Sequence, residues 1–257
     1  MKQSWTGNKN KKFNLNFFLV GNSGSGKTHL AGTYSLGPTH FYMFDKGGEN
    51  TLDKLIQKKT SKLSLDLLSS DDLSFSDIWT SLQKDQRDGF FDQMAEENGL
   101  IVFDSLTSVN QKAIKEIMYL NKRTGNKIGK PGDDKKNMRI QDWGQLLQWM
   151  TQFVGIIQEL PCATITTVHL HTLTDKDNAV VARYPSVNGQ FRQIVGVNYD
   201  ETYLLEVRGE NHILHFKERF KFEAKSRVFA SKEVRNYTMD DLANAYMKGI
   251  TDLPKKK

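Results

Sequence analysis

Cysteine is almost absent. The 257 residues hold one, Cys162, so no internal disulfide can staple the fold. It lies in an apolar run, which reads as a buried structural thiol and fits a reducing cytoplasm. Long apolar runs are also missing. No stretch approaches the ~20 residues of a membrane-spanning helix, so no membrane partner is expected. The opening "MKQSWTGNKNKK" has no apolar core, and no secretory leader is expected there. Neither repeats nor low-complexity segments occur beyond short lysine-rich ends.

What remains is a chain of 38% hydrophobic residues and formal net charge +6. Its length suits one large α/β domain, or one domain with small attachments. The expected division is a basic tail over 1–13, a core over 14–230, and a C-terminal helix with a lysine tail over 231–257. The positive excess concentrates in 9–12, in 121–139 and in the terminal "KKK". Such a balance permits nucleic-acid binding without demanding it.

Apolar runs alternate with amphipathic stretches. Strands are expected at 15–20, 40–44, 100–103 and 162–169, and helices at 27–35, 50–59, 76–97, 107–121 and 141–159. Alternation of this kind predicts a mostly parallel sheet with helices on both faces. Beyond 199, "ETYLLEV", "HILHF" and "RFKFEAK" read as antiparallel strands, followed by a helix in "TMDDLANAYMKG". Two long polar connections, 121–140 and 172–199, are expected to carry function.

"GNSGSGKTHL" directly follows the strand-like "LNFFLV". Gly21, Gly26, Lys27 and Thr28 fit the phosphate-loop pattern G-x4-G-K-S/T. Glycines let the backbone turn its N–H groups inward around an anion. Lys27 supplies a charge for the outer phosphates and Thr28 a hydroxyl for Mg2+. The nucleotide-binding run is therefore Gly21, Asn22, Ser23, Gly24, Ser25, Gly26, Lys27, Thr28 and His29.

Such a site needs a carboxylate to orient the metal's water shell, and Asp104 ends the apolar "GLIVFDS". Ser105 follows it, so the base for an attacking water must come from elsewhere. Asp45 ends the second strand and Glu49 lies four residues on. Asp45 is favoured because a strand end is better fixed than a position beyond two glycines. His169, at the tip of "TTVHLH", can touch the outer phosphate or its water. His171 reads as an ordinary surface histidine.

The ordered set "GNSGSGKTHL", "FDKGGEN", "IVFDSLTSV", "QDWGQLLQWM", "TTVHLH", "YPSVNGQFRQIVGVNYDETYLL" and "FEAKSR" resembles the single-domain RecA/RadA-core ATPases of bacteriophages, the Sak-type group of AAA-labelled phage ATP-binding proteins. The resemblance covers roughly residues 14 to 230. It implies a RecA-like P-loop NTPase fold, ATP and Mg2+, and single-stranded DNA as partner. It also implies strand annealing or recombination in the cytoplasm of an infected bacterium, and self-assembly into a ring or filament, with a single-strand-binding protein as a further partner. Asp45 stands where that family usually has Glu. His169 takes the sensor position. Lys225 and Arg227 would reach the ATP of a neighbouring subunit, and 121–140 and 172–199 would face DNA.

In those loops Lys122, Arg123, Lys127, Lys130, Lys135, Lys136 and Arg139 are candidates to neutralise DNA phosphates. Arg183, Tyr184, Phe191 and Arg192 set aromatic faces beside positive charge, the combination single strands require. Two alternatives stay open: a nucleotide-binding scaffold with little hydrolysis, and a small-molecule kinase. A GTPase is disfavoured, since "NKIG" lacks the aspartate of a guanine-reading motif. A partition-type ATPase is disfavoured because Asn22 and Ser23 stand where an early lysine would be.

Overall fold

The apolar run before the glycine-rich segment forms a central strand, β1 (Asn16–Gly21), with five of its six residues buried. The structure is a computed structural model and describes residues 13–57, 62–122 and 138–254. From β1 the chain continues through α1 (Lys27–Ala31), β2 (Thr39–Met43), α2 (Glu49–Gln57), β3 (Leu63–Leu67), α3 (Phe75–Arg87), α4 (Phe90–Glu96) and β4 (Leu100–Asp104). Next come α5 (Leu106–Leu120), α6 (Ile140–Glu159), β5 (Ala163–Thr174), β6 (Val180–Pro185), α7 (Phe191–Ile194) and β7 (Glu201–Arg208). The described chain closes with β8 (Asn211–His215), β9 (Lys225–Ser226), β10 (Glu233–Arg235) and α8 (Met239–Met247).

The sheet runs β10-β8-β7-β1-β5-β4-β2-β3, with β6 on β5 and β9 on β7. From β7 to β3 all pairings are parallel. Successive strand side chains point to opposite faces, so a strand covered on both sides must be apolar throughout. In β1, Phe18 and Val20 enter one core with α3, α4, α5 and α6. Phe17 and Leu19 enter a second core with α1, α2 and α8. Burying each such side chain is worth about 1.5–3 kcal/mol. Phe18 also stacks on Tyr199, ring centroids 4.8 Å apart.

This is a P-loop NTPase fold, a mostly parallel sheet with helices on both faces, as expected. Cys162 is free and buried, and burial pushes its thiol up to about 12. Among the described residues no helix is long and apolar enough to cross a membrane. The segment after 230 joins the second core: Val234, Leu242, Ala243 and Tyr246 pack there, and Phe13 meets both Tyr34 and Tyr246.

Several expectations change. The stretch 76–97 is two helices, because Gly89 takes a left-handed conformation (φ 75°) that a helix interior excludes. The strand β3 was not anticipated. Half of the segment 172–199 is structured: β5 runs on past His171 and folds back as β6. β7 is parallel to β1, and beyond 199 antiparallel pairing begins only with β8. "RFKFEAK" is no full strand; it holds one bridge, Arg219 to Phe222, and the start of the two-residue β9.

Register sets the site. Gly21 lies beside His169, Phe103 beside Thr166, and Met43 beside Asp104. The carboxyl ends of β1, β5, β4 and β2 therefore converge, where ligands bind open α/β sheets.

Candidate nucleotide site

The loop from Gly21 to Thr28 leaves β1 and enters α1 through Gly26, whose φ of 89° suits glycine. A Cβ there would also meet the His212 ring of β8 at 2.8 Å. His212 packs over the loop, its Nδ1 3.2 Å from the Ser25 carbonyl, and it stacks with His29. The Lys27 ammonium, 6% exposed, donates to the carbonyls of Gly21 and Asn22 at 2.9 Å each. Burial lowers its pKa, against the opposing pull of Asp104 and Asp45. A buried cation hydrogen-bonded to neutral carbonyls is poised for an anion.

Asp104 is the hub. Thr28 Oγ1 donates to its Oδ2 at 2.5 Å, and Thr167 Oγ1 donates to its Oδ1. Burial pushes this carboxyl above the usual range, outweighing those two hydrogen bonds and the Lys27 charge. The Asp104 carbonyl accepts from the N–H groups of Phe44 (2.6 Å) and Asp45 (3.3 Å), which fixes Asp45 relative to Asp104. The Asp104–Ser105 peptide is cis.

Asp45 and His169 form a second unit. His169 Nε2 stands 3.2 Å from Asp45 Oδ2, and Ser108 donates to Oδ1. Burial pushes the Asp45 carboxyl up, but the bonds from His169 and Ser108 and the histidine charge overcome it, leaving it below the usual range. The His169 backbone N–H donates to Thr107 Oγ1. Glu49 opens α2, and its Oε2 is buried without a hydrogen-bond partner.

Among the described residues no group of three or more His, Cys, Asp or Glu is placed to hold a metal. Mg2+ does not ask for one: it keeps its waters and takes one or two protein oxygens plus phosphates. The Thr28 hydroxyl and Asp104 carboxylate, two hard oxygens beside the loop, fit that demand.

With this geometry in view, the AAA domain profile matches residues 14–228. The chain belongs to the AAA domain family. It is therefore an AAA-type P-loop ATPase domain. Among the similar solved structures are three ATPase structures. One is a prototypical ATPase from the type III secretion system of pathogenic bacteria: 17% identity, TM-score 0.43, covering 75% of this chain and 51% of that one. The second is the assembled ATPase EscN from enteropathogenic E. coli: 17% identity, TM-score 0.42, covering 75% and 43%. The third is EscN with its central stalk EscO: 14% identity, TM-score 0.43, covering 76% and 42%. The chain thus spans about half of the first structure's length and less of the others. No curated protein matches the sequence.

Around this AAA domain the remaining candidates fall in several places. Tyr184 stacks on His171 (5.6 Å), and Arg192 lies over the Tyr184 ring at 4.8 Å. Lys122 and Arg139 are exposed at the end of α5 and the start of α6. Arg123, Lys127, Lys130, Lys135 and Lys136 lie outside the described residues. Phe191 is a correction: it is 2% exposed, locked in the core by α7, and presents no face to a base. Lys225 donates to the Val197 carbonyl, and Arg227, 60% exposed, pairs with Asp200 at 3.4 Å. Thr107, Ser108, Thr167 and His212 were missed in sequence. Only Thr167 carried a signal, since it shares a strand face with His169.

The Asp45–His169 pair is separable from Glu49 by mutation. Asp45→Asn is expected to lower ATP turnover about 100-fold or more, with ATP binding retained. Glu49→Gln should stay close to the wild-type rate. Steady-state phosphate release on both variants decides it, and an inactive Glu49→Gln beside an active Asp45→Asn would move the base to Glu49.

Proposed function

We propose that the chain binds Mg2+·ATP at the loop of Gly21–Thr28, hydrolyses it, and uses the cycle to act on single-stranded DNA as a Sak-type phage recombination or annealing ATPase. The observation that carries the nucleotide half is the convergence of Lys27, Thr28, Asp104, Asp45 and His169 at four neighbouring strand ends. When bound, Mg2+ would neutralise phosphate charge, with Thr28 and Asp104 to hold it. Lys27 leaves its two carbonyls for the phosphates. Asp45 fixes the His169 ring, and the pair orients water.

The DNA half is supported by continuity. β5 carries His169 at the site and then His171 in the hairpin, where Tyr184 of β6 offers a ring, and Arg192 of α7, lying over that ring, a guanidinium to a single strand. Lys122 and Arg139 add exposed positive charge at the end of α5 and the start of α6. Self-assembly would bring Lys225 and Arg227 to a neighbour's nucleotide, where arginine stabilises a transferring phosphoryl group.

Adding single-stranded DNA at low salt should raise ATP turnover. The DNA affinity should fall as salt rises, because each neutralised phosphate releases a counterion. Turnover indifferent to DNA, with no DNA retained at low salt, would remove the DNA half and leave the ATPase.

A further inference from the structure

Arg183 is the one cation on the β5–β6 hairpin that also lines the phosphate loop. With Asn22, Ser23, Gly24 and Ser25 it borders a cleft of about 320 Å3, closed by Glu206 and Phe220. It also borders a second, basic cleft of about 660 Å3 with Tyr184, Arg192, Lys221 and Lys225. Its strand position faces Thr172, three residues past His169.

The guanidinium is poorly satisfied where it stands. Its Nε is buried with no hydrogen-bond partner, and among the described residues it has no ion pair. It rests over the Phe220 ring at 5.2 Å. The same ring is approached by Arg219 at 4.2 Å and Arg208 at 5.4 Å. Of the three, Arg208 is neutralised by Glu206 at 2.9 Å, which His215 also contacts at 2.9 Å. Three guanidinium groups thus share one aromatic ring, and of the three Arg183 lines the cleft beside the backbone of Asn22–Ser25. An aromatic face holds a guanidinium less firmly than a phosphate oxygen does.

Resting on the nucleotide site proposed above, we propose that Arg183 is a phosphate ligand in cis. It leaves Phe220 for the outermost phosphate of ATP held by its own chain's loop, and ADP, lacking that group, leaves it in place. The hairpin thereby distinguishes the two nucleotides, and the basic cleft gains or loses a charge with nucleotide state.

The test is the ratio of ATP to ADP affinity, measured by displacement of a fluorescent ADP in the presence of Mg2+. Arg183→Gln is expected to weaken ATP about tenfold, the scale of one charge-assisted contact, with ADP affinity unchanged. Arg183→Lys should fall between. Phe220→Leu loosens the holder without touching the charge, so its ATP preference should equal or exceed wild type. A wild-type ratio in Arg183→Gln overturns the inference while leaving the nucleotide site standing. So does a Phe220→Leu variant that loses ATP preference as Arg183→Gln does, since that marks mere packing. A wild-type protein that binds neither nucleotide removes the site itself. Thermal melts establish that each variant is folded, and Phe220→Leu and Arg183→Lys decide the matter if Arg183→Gln is not.

Discussion

Replacing Lys27 by alanine should abolish ATP binding and turnover while the fold stays intact. The ammonium is the only side-chain charge the loop itself offers to the phosphates, and removing a preorganised charge contact of this kind costs about 100-fold or more in rate. The fold has little to lose. Lys27 is almost fully buried, and burial lowers its pKa against the attraction of Asp104 and Asp45. Its only hydrogen bonds shown go to two loop carbonyls. Phosphate release and a thermal melt on the same preparation check both halves. Wild-type turnover in Lys27→Ala would refute the phosphate-site assignment.

Asp104→Asn should separate function from stability in the opposite direction. The native carboxyl is buried and its pKa is raised, so holding it ionised costs the folded state. The sign follows: the unfolded chain gives up this proton first, so the wild type loses stability as pH rises from the ordinary aspartate range through the raised native value. An amide does not titrate, and it can still bond the Thr28 and Thr167 hydroxyls. The variant should therefore match the wild type in acid and exceed it at neutral pH. Its Mg2+-dependent turnover should fall by about 100-fold or more, since a neutral amide is a poor ligand for a hard cation. Melting curves from pH 4 to 8 and phosphate release report the two effects. A variant less stable than wild type at neutral pH would show that the Asp104 charge holds the fold together.

The candidate carboxylates were legible because their signal is local. A carboxylate at or just past the end of an apolar run covered on both faces stands out, and both Asp104 and Asp45 are so placed. The phosphate loop was legible for the same reason. β3 was not, because "LSLDL" is a half-exposed edge strand with none of that apolar continuity. The β5–β6 hairpin was hidden by its polar turn, although the turn is well built: Asp175 accepts from the N–H groups of Asp177 and Ala179, and Asn178 takes φ 59°. The direction of β7 depends on its pairing with β1, some 180 residues away in sequence, and no local pattern encodes it. Phe191 misled because arginine beside an aromatic reads as surface, whereas the ring turns inward from α7. Arg183 was read for DNA alone, because its place beside Asn22–Ser25 comes from the fold and not from the local sequence.

Calorimetric titration of the wild-type chain with ATP, with and without Mg2+, goes straight to the centre. Saturable one-to-one binding that tightens with Mg2+ is expected, and Asp104→Asn should lose the tightening but keep metal-free binding. Heats indistinguishable from dilution in both titrations would contradict the nucleotide-site assignment.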